Sequence, residues 1–110
     1  MEFVFDYNGR HIACYLNERL YSFNGRQIGQ YLPHQKIFID MEGHYLGQIP
    51  FTNRLLHSNI YSYEDIVFEP VVDCGNIGNI GNIGLIGSIE RMEEFSDIDK
   101  DKFYFNAIEI

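Results

Sequence analysis

Chemistry in this 110-residue chain could come from two cysteines, Cys14 and Cys74, four histidines, His11, His34, His44 and His57, a serine, Ser58, and the alternating acids Asp97, Asp99 and Asp101. A thiol or hydroxyl becomes a useful nucleophile only with a base in hydrogen-bond reach, and no local motif pairs Cys14 or Ser58 with one. The histidines lack close metal-ligand spacing, and His11 and His44 fall beside turns, which predicts solvent exposure. The three aspartates imitate the first ligands of a calcium loop. Lys102 then stands where that loop needs glycine and Ile108 where it needs a bidentate glutamate, so a polar turn is expected. Neither cysteine belongs to a C-x-x-C pair, and both are expected to be free buried thiols. These residues predict neither enzyme activity, nor a metal site, nor a cofactor.

The elements that position them are written as a repeat. Tyr7-Asn8-Gly9-Arg10 returns as Phe23-Asn24-Gly25-Arg26 and, altered, as Met41-Glu42-Gly43-His44. Matched columns flank each glycine: Val4, Leu20 and Phe38 five residues before, Phe5, Tyr21 and Ile39 four before, and Ile12, Ile28 and Leu46 three after. Asn-Gly between apolar flanks is a hairpin signal, predicting a two-residue type I′ turn with both central residues at positive φ. That register sets Phe5 against Ile12, Tyr21 against Ile28 and Ile39 against Leu46 as the core, with Asp6, His11, Ser22 and Gln27 on the solvent face. Arg54-Leu55-Leu56-His57-Ser58-Asn59 aligns with Arg19 to Asn24 as a fourth copy, but Ile60 replaces the glycine and disfavours a tight turn. Asn17-Glu18, Pro33-His34-Gln35 and 50–53 are read as connectors.

The second unusual stretch runs from Gly75 to Ile89, with glycine and isoleucine each at every third position. Period three fits neither a strand nor an α-helix and matches polyproline II. A collagen-like helix lacks proline in its triplets, and a disordered linker would waste the isoleucines. The favoured expectation is an extended segment. Its Ile77, Ile80, Ile83, Ile86 and Ile89 edge would pack on the hairpins or on another subunit, while its glycine edge allows close backbone approach. Neither nucleotide-binding glycine motif is present. Ser88 could cap a short helix carrying Ile89, Met92 and Phe95, and 102–110 reads as a strand.

The formal charge of −8 lies wholly in the second half, since residues 1–61 balance five basic against five acidic side chains and 62–110 hold three against eleven. Such a chain repels phosphate backbones, which argues against nucleic acid. No signal peptide or membrane-length apolar run is present, so a cytoplasmic location is expected.

The tandem units with their period-three tail resemble the four-fold beta-flower domain family of small bacterial proteins. That resemblance implies four hairpin units around a pseudo-four-fold centre, with the tail packed against them, and carries no catalytic residues. The expected architecture is therefore all-β: about four tandem β-hairpin repeats over 1–72, then the Gly-rich triplets and an acidic end with a short helix or strand over 73–110, in a single domain overall. The leading functional expectation is a non-catalytic structural or protein-interaction module that forms a homo-oligomer. One alternative is a glycan or small-ligand module using Tyr7, Arg10, His11, Phe23, Arg26 and Tyr45; another is an acidic inhibitor of a basic protein.

Overall fold

The computed structural model describes residues 1–60, 63, 65–81 and 83–98. All its regular structure is β: β1 (Glu2–Phe5), β2 (His11–Leu16), β3 (Arg19–Tyr21), β4 (Gln27–Leu32), β5 (Ile37–Asp40), β6 (Tyr45–Gly47), β7 (Leu56–Ser58) and β8 (Phe95–Asp97). The first six form an antiparallel meander in chain order, and β7 and β8 form a second, two-stranded sheet. The meander curls because both its ends meet the segment that leads into β7. Phe5 N–H donates to Asn53 O at 2.8 Å and Phe5 O accepts from Leu55 N–H at 3.0 Å, while Gln48 and Leu56 exchange both their backbone bonds.

The three glycine turns differ from the type I′ expectation. Asn8 and Asn24 are absent from the residues with positive φ, whereas Gly9, Gly25 and Gly43 lie between +82° and +92°. In each, the glycine N–H donates to the carbonyl three residues back (Asp6, Ser22, Asp40), whose own N–H donates to Arg10, Arg26 or His44 O. This is the three-residue hairpin loop with a bulge, which needs only the glycine in the left-handed region. The bulge moves the register. Phe5 faces His11 and Val4 faces Ala13, leaving Ile12 as the inserted residue; Tyr21 with Gln27 and Ile39 with Tyr45 repeat the pattern.

The predicted core pairs are corrected accordingly. Ile12, Ile28 and Leu46 do enter the main core, but beside Val4, Leu20 and Phe38, with Ala13, Leu55 and Ile98 completing it. Phe5 and Tyr21 are buried outside that cluster, and Ile39 joins Ile37 and Tyr45 in a second one. The two-residue turn with both φ positive occurs instead at the supposed connector Asn17-Glu18 (φ 52° and 64°), across which Leu16 pairs with Arg19.

The face expected to meet solvent is also buried: Asp6, Ser22, His11 and Gln27 are each at most 4% exposed. Burial is tolerable because the polar atoms turn back onto the backbone. Asp6 Oδ1 accepts from Arg10 N–H at 2.9 Å, and Asp40 Oδ1 accepts from both Glu42 and His44 N–H at 2.9 Å. Ser22 Oγ bonds Asn24 Oδ1 within its own turn.

The expected helix from Ser88 is not formed; Phe95, Ser96 and Asp97 are strand β8 and pair with Ser58, His57 and Leu56. Pairing to β7 satisfies a full ladder and sends Ile98 into the core, which a short, isolated helix of three or fewer turns could not match. The strand expected at 102–110, and Asp99 and Asp101, lie outside the described residues.

Candidate functional site: the strap and the turns it crosses

Between β7 and β8 the chain runs back over the three glycine turns as a strap, described over 65–81 and 83–89. It meets them in reverse order, with one scheme of bonds. Phe68, Ile77 and Ile86 N–H donate to Gly43, Gly25 and Gly9 O at 2.9, 2.9 and 2.8 Å. Three residues further on, Val71, Ile80 and Ile89 N–H donate to Met41, Phe23 and Tyr7 O at 3.0, 2.7 and 3.0 Å. Donor pairs are thus spaced by one triplet, and successive turns by nine residues of strap. Hydrogen-bond register with the hairpins accounts for the period of three.

The strap turns at its glycines, which corrects the polyproline reading. Gly75, Gly78, Gly81 and Gly84 have φ from +80° to +94°, outside polyproline II. Asx side chains support the turns: Asp73 Oδ1 accepts from Gly75 N–H at 2.8 Å and Asn76 Oδ1 from Gly78 N–H at 2.6 Å. The glycine edge faces open space, since a Cβ on any of the five triplet glycines would meet nothing within 4 Å. Close approach occurs on the other partner. A Cβ at Gly25 would sit 1.9 Å from Gly78 O, and at Gly9 or Gly43 2.1 Å from Ile86 or Phe68 O.

Side chains of β2 and β4 latch the strap from beneath. Gln27 Oε1 accepts from Cys74 N–H at 2.9 Å, while its Nε2 donates to Gly29 O at 3.3 Å. Two residues after the preceding turn glycine, His11 does the same work: Nδ1 accepts from Ile83 N–H at 3.1 Å, and Nε2 lies 2.9 Å from Ala13 O. A carbonyl accepts only, so the hydrogen is on Nε2 and the ring is neutral. Burial lowers the His11 pKa from its ordinary 6.5, against the opposing bond to Ala13. Cys14 Sγ is 3.4 Å from the same Nε2. That contact is no nucleophile–base pair, because Nε2 already donates and burial pushes the thiol up to about 11. Both cysteines are free, but Cys74 is exposed rather than buried.

Two further clamps hold the strap. Buried Arg54 donates from Nη1 to Asp6 O at 2.9 Å and from Nη2 to Gly87 O at 2.6 Å. Tyr7, 1% exposed, donates its hydroxyl hydrogen to Phe95 O at 2.9 Å and accepts from Met92 N–H at 3.2 Å. Its own N–H donates to Asp97 Oδ1 at 3.0 Å, and the Arg91 guanidinium lies 4.9 Å above its ring. Asp97, one of the calcium-like acids, therefore closes the fold.

Of the six residues suggested for a ligand, Tyr7, His11 and Tyr45 are buried. Tyr45 OH donates to Gln48 Oε1 and accepts from Ser58 N–H, both at 3.0 Å. Phe23 and Arg26 are half-buried and Arg10 is exposed, so the six do not converge on one open face. The isoleucine edge is different. Ile80 and Ile89 are half-buried, while Ile77 (42% exposed), Ile83 (52%) and Ile86 (38%) remain open, with Leu85 at 72%. Ile83 and Ile86 line one side of a groove of about 650 Å³ whose other walls include Met1, Phe3, Phe5 and Ile49.

Sequence reasoning missed the latches and the strap's early start. The signal was available: Phe68 and Val71 already carry the three-residue spacing ahead of the first glycine triplet, and His11 and Gln27 share a column. Among the described residues no group of three or more His, Cys, Asp or Glu could hold a metal, and no helix is long and apolar enough to cross a membrane. No protein-family model, no curated protein and no solved structure matches the chain.

Proposed function

We propose that this chain is a non-catalytic interaction module that self-associates through the exposed apolar edge of its strap, built on four hairpin units of the beta-flower kind. The carrying observation is Leu85, an exposed knob beside the groove lined by Ile83 and Ile86. A two-fold operation that seats each Leu85 in the other copy's groove covers both at once, the self-complementary arrangement that closed dimers use. Burying such apolar side chains contributes about 1.5–3 kcal/mol each. The four-unit arrangement draws support from equivalent positions. Val4, Leu20, Phe38 and Leu55 share the main core, and Phe5, Tyr21, Ile39 and Leu56 are all buried at the next matching column. In the fourth unit β8 stands where β2 stands in the first, Asp97 facing Leu56 as His11 faces Phe5, and the strap replaces the turn.

Size-exclusion chromatography with light scattering tests the reading. The wild-type chain is expected to run as a defined oligomer, and Leu85→Asp and Ile83→Asp as monomers with unchanged circular dichroism. A monomeric wild-type protein at every concentration sinks the proposal. Because the net charge is −8, added salt should strengthen association by screening repulsion between copies.

A further inference from the structure

We propose that His11 is an acid-sensitive latch: protonation at Nδ1 turns its acceptor into a donor facing the Ile83 N–H, and the strap lifts from the first hairpin while the Gln27 latch on Cys74 stays closed. The geometry supplies both halves of the comparison. Each latch accepts one strap N–H, at 3.1 Å for His11 and 2.9 Å for Gln27, nine residues apart along the strap. Each also donates to a carbonyl two residues on in its own strand, Ala13 or Gly29. Only the imidazole titrates in the working range of proteins. In the neutral ring both nitrogens are satisfied; in the cation two N–H groups face one carbonyl and one N–H, and the pair at Ile83 repels.

The ring's surroundings offer the cation little compensation. Phe3 and Phe5 pack on it from β1 with centroids at 5.0 and 5.6 Å, and Phe23 from the second turn at 4.9 Å. From β2 come the Ala13 carbonyl and the Cys14 thiol, which stays neutral below about 11. The strap presents the Ile83 N–H and Gly84 O, the latter accepting from His11 N–H at 3.2 Å. Of the nearest charged side chains on the same hairpin, Arg10 is exposed, and Asp6 Oδ1 is turned onto the Arg10 N–H.

The sign follows from linkage. Burial lowers the folded-state pKa below the ordinary 6.5, so the opened state binds the proton more readily. The latch is fully effective above about pH 6.5 and weakens as pH falls through that value, the opening equilibrium rising by up to about tenfold per pH unit until the folded ring itself titrates.

Amide hydrogen exchange at pH 7.5 and 5.0, corrected for intrinsic rates, reads this at single residues. In the wild-type chain the protection of Ile83 N–H is expected to fall about tenfold or more relative to Cys74 N–H. In His11→Gln, which copies the Gln27 latch, the two amides should keep a constant ratio. A constant ratio in the wild type, or the same pH dependence in His11→Gln, overturns the proposal. Should that variant not fold, nitrogen chemical shifts of the wild-type ring decide. Nε2–H at neutral pH, with Ile83 protection lost at the midpoint of the His11 titration, supports the latch, and an Nδ1–H tautomer refutes it.

Discussion

Gly25→Ala is expected to cost about 3–5 kcal/mol, a large share of the ~5–15 kcal/mol by which a domain is stable. The left-handed conformation at φ +83° costs a residue with a Cβ about 1–2 kcal/mol, and here the methyl would also lie 1.9 Å from Gly78 O. Relief requires the strap to move away, loosening the Ile77 and Ile80 hydrogen bonds at ~0.5–1.5 kcal/mol each. The triplet glycines provide the contrast. Gly78→Ala meets no atom within 4 Å and should lose only the conformational ~1–2 kcal/mol. Gly87→Ala, with no positive φ and no neighbour, should stay within about 0.5 kcal/mol. Urea unfolding of the three variants gives the ranking; equal losses at Gly25 and Gly78 would show that the strap does not press on the turn.

Tyr7→Ala should be comparably severe, at about 3–5 kcal/mol, the range for removing a large aromatic ring from a packed interior. Tyr7→Phe separates ring from hydroxyl. It keeps the packing under Arg91 but leaves the Phe95 carbonyl without that donor and the Met92 N–H without that acceptor, for an expected loss of about 1–3 kcal/mol. If Tyr7 were instead a ligand-facing ring, both substitutions would leave stability within about 0.5 kcal/mol and change only binding. Thermal unfolding with a ligand-free sample distinguishes the two roles.

The all-β character and the three glycine turns were legible because the signal is local: apolar flanks and a glycine that must take positive φ. The register was not. Asn-Gly fits two loop types that differ by the conformation of the asparagine, and the choice shifts every pairing beyond it, which placed Ile12 opposite Phe5 instead of beside Val4 in the core. The burial of Asp6 and His11 was illegible for a different reason. A polar residue reads as solvent-facing until its partners are known, and those of His11 include Ile83, far away along the chain. The helix expected at 88–95 failed similarly, because the β7 edge that claims Phe95 to Asp97 is remote in sequence.

The isoleucine edge of the proposed interface was named from spacing alone. Its accessibility varies because the strap has two duties. Ile80 and Ile89 are half-buried over the hairpins, while Ile83 and Leu85 stay exposed.

The strap's reverse passage over the turns, nine residues to each, also fixes how this chain can change length. Hairpin connections such as 33–36 can lengthen outward without disturbing any strap bond, but the strap is a vernier laid against the three glycine turns. Deleting one triplet leaves every local turn intact and yet puts each donor beyond the deletion one triplet out of step with its turn. Whole nine-residue steps, matched to the gain or loss of a complete hairpin, are the insertions and deletions that this geometry can absorb.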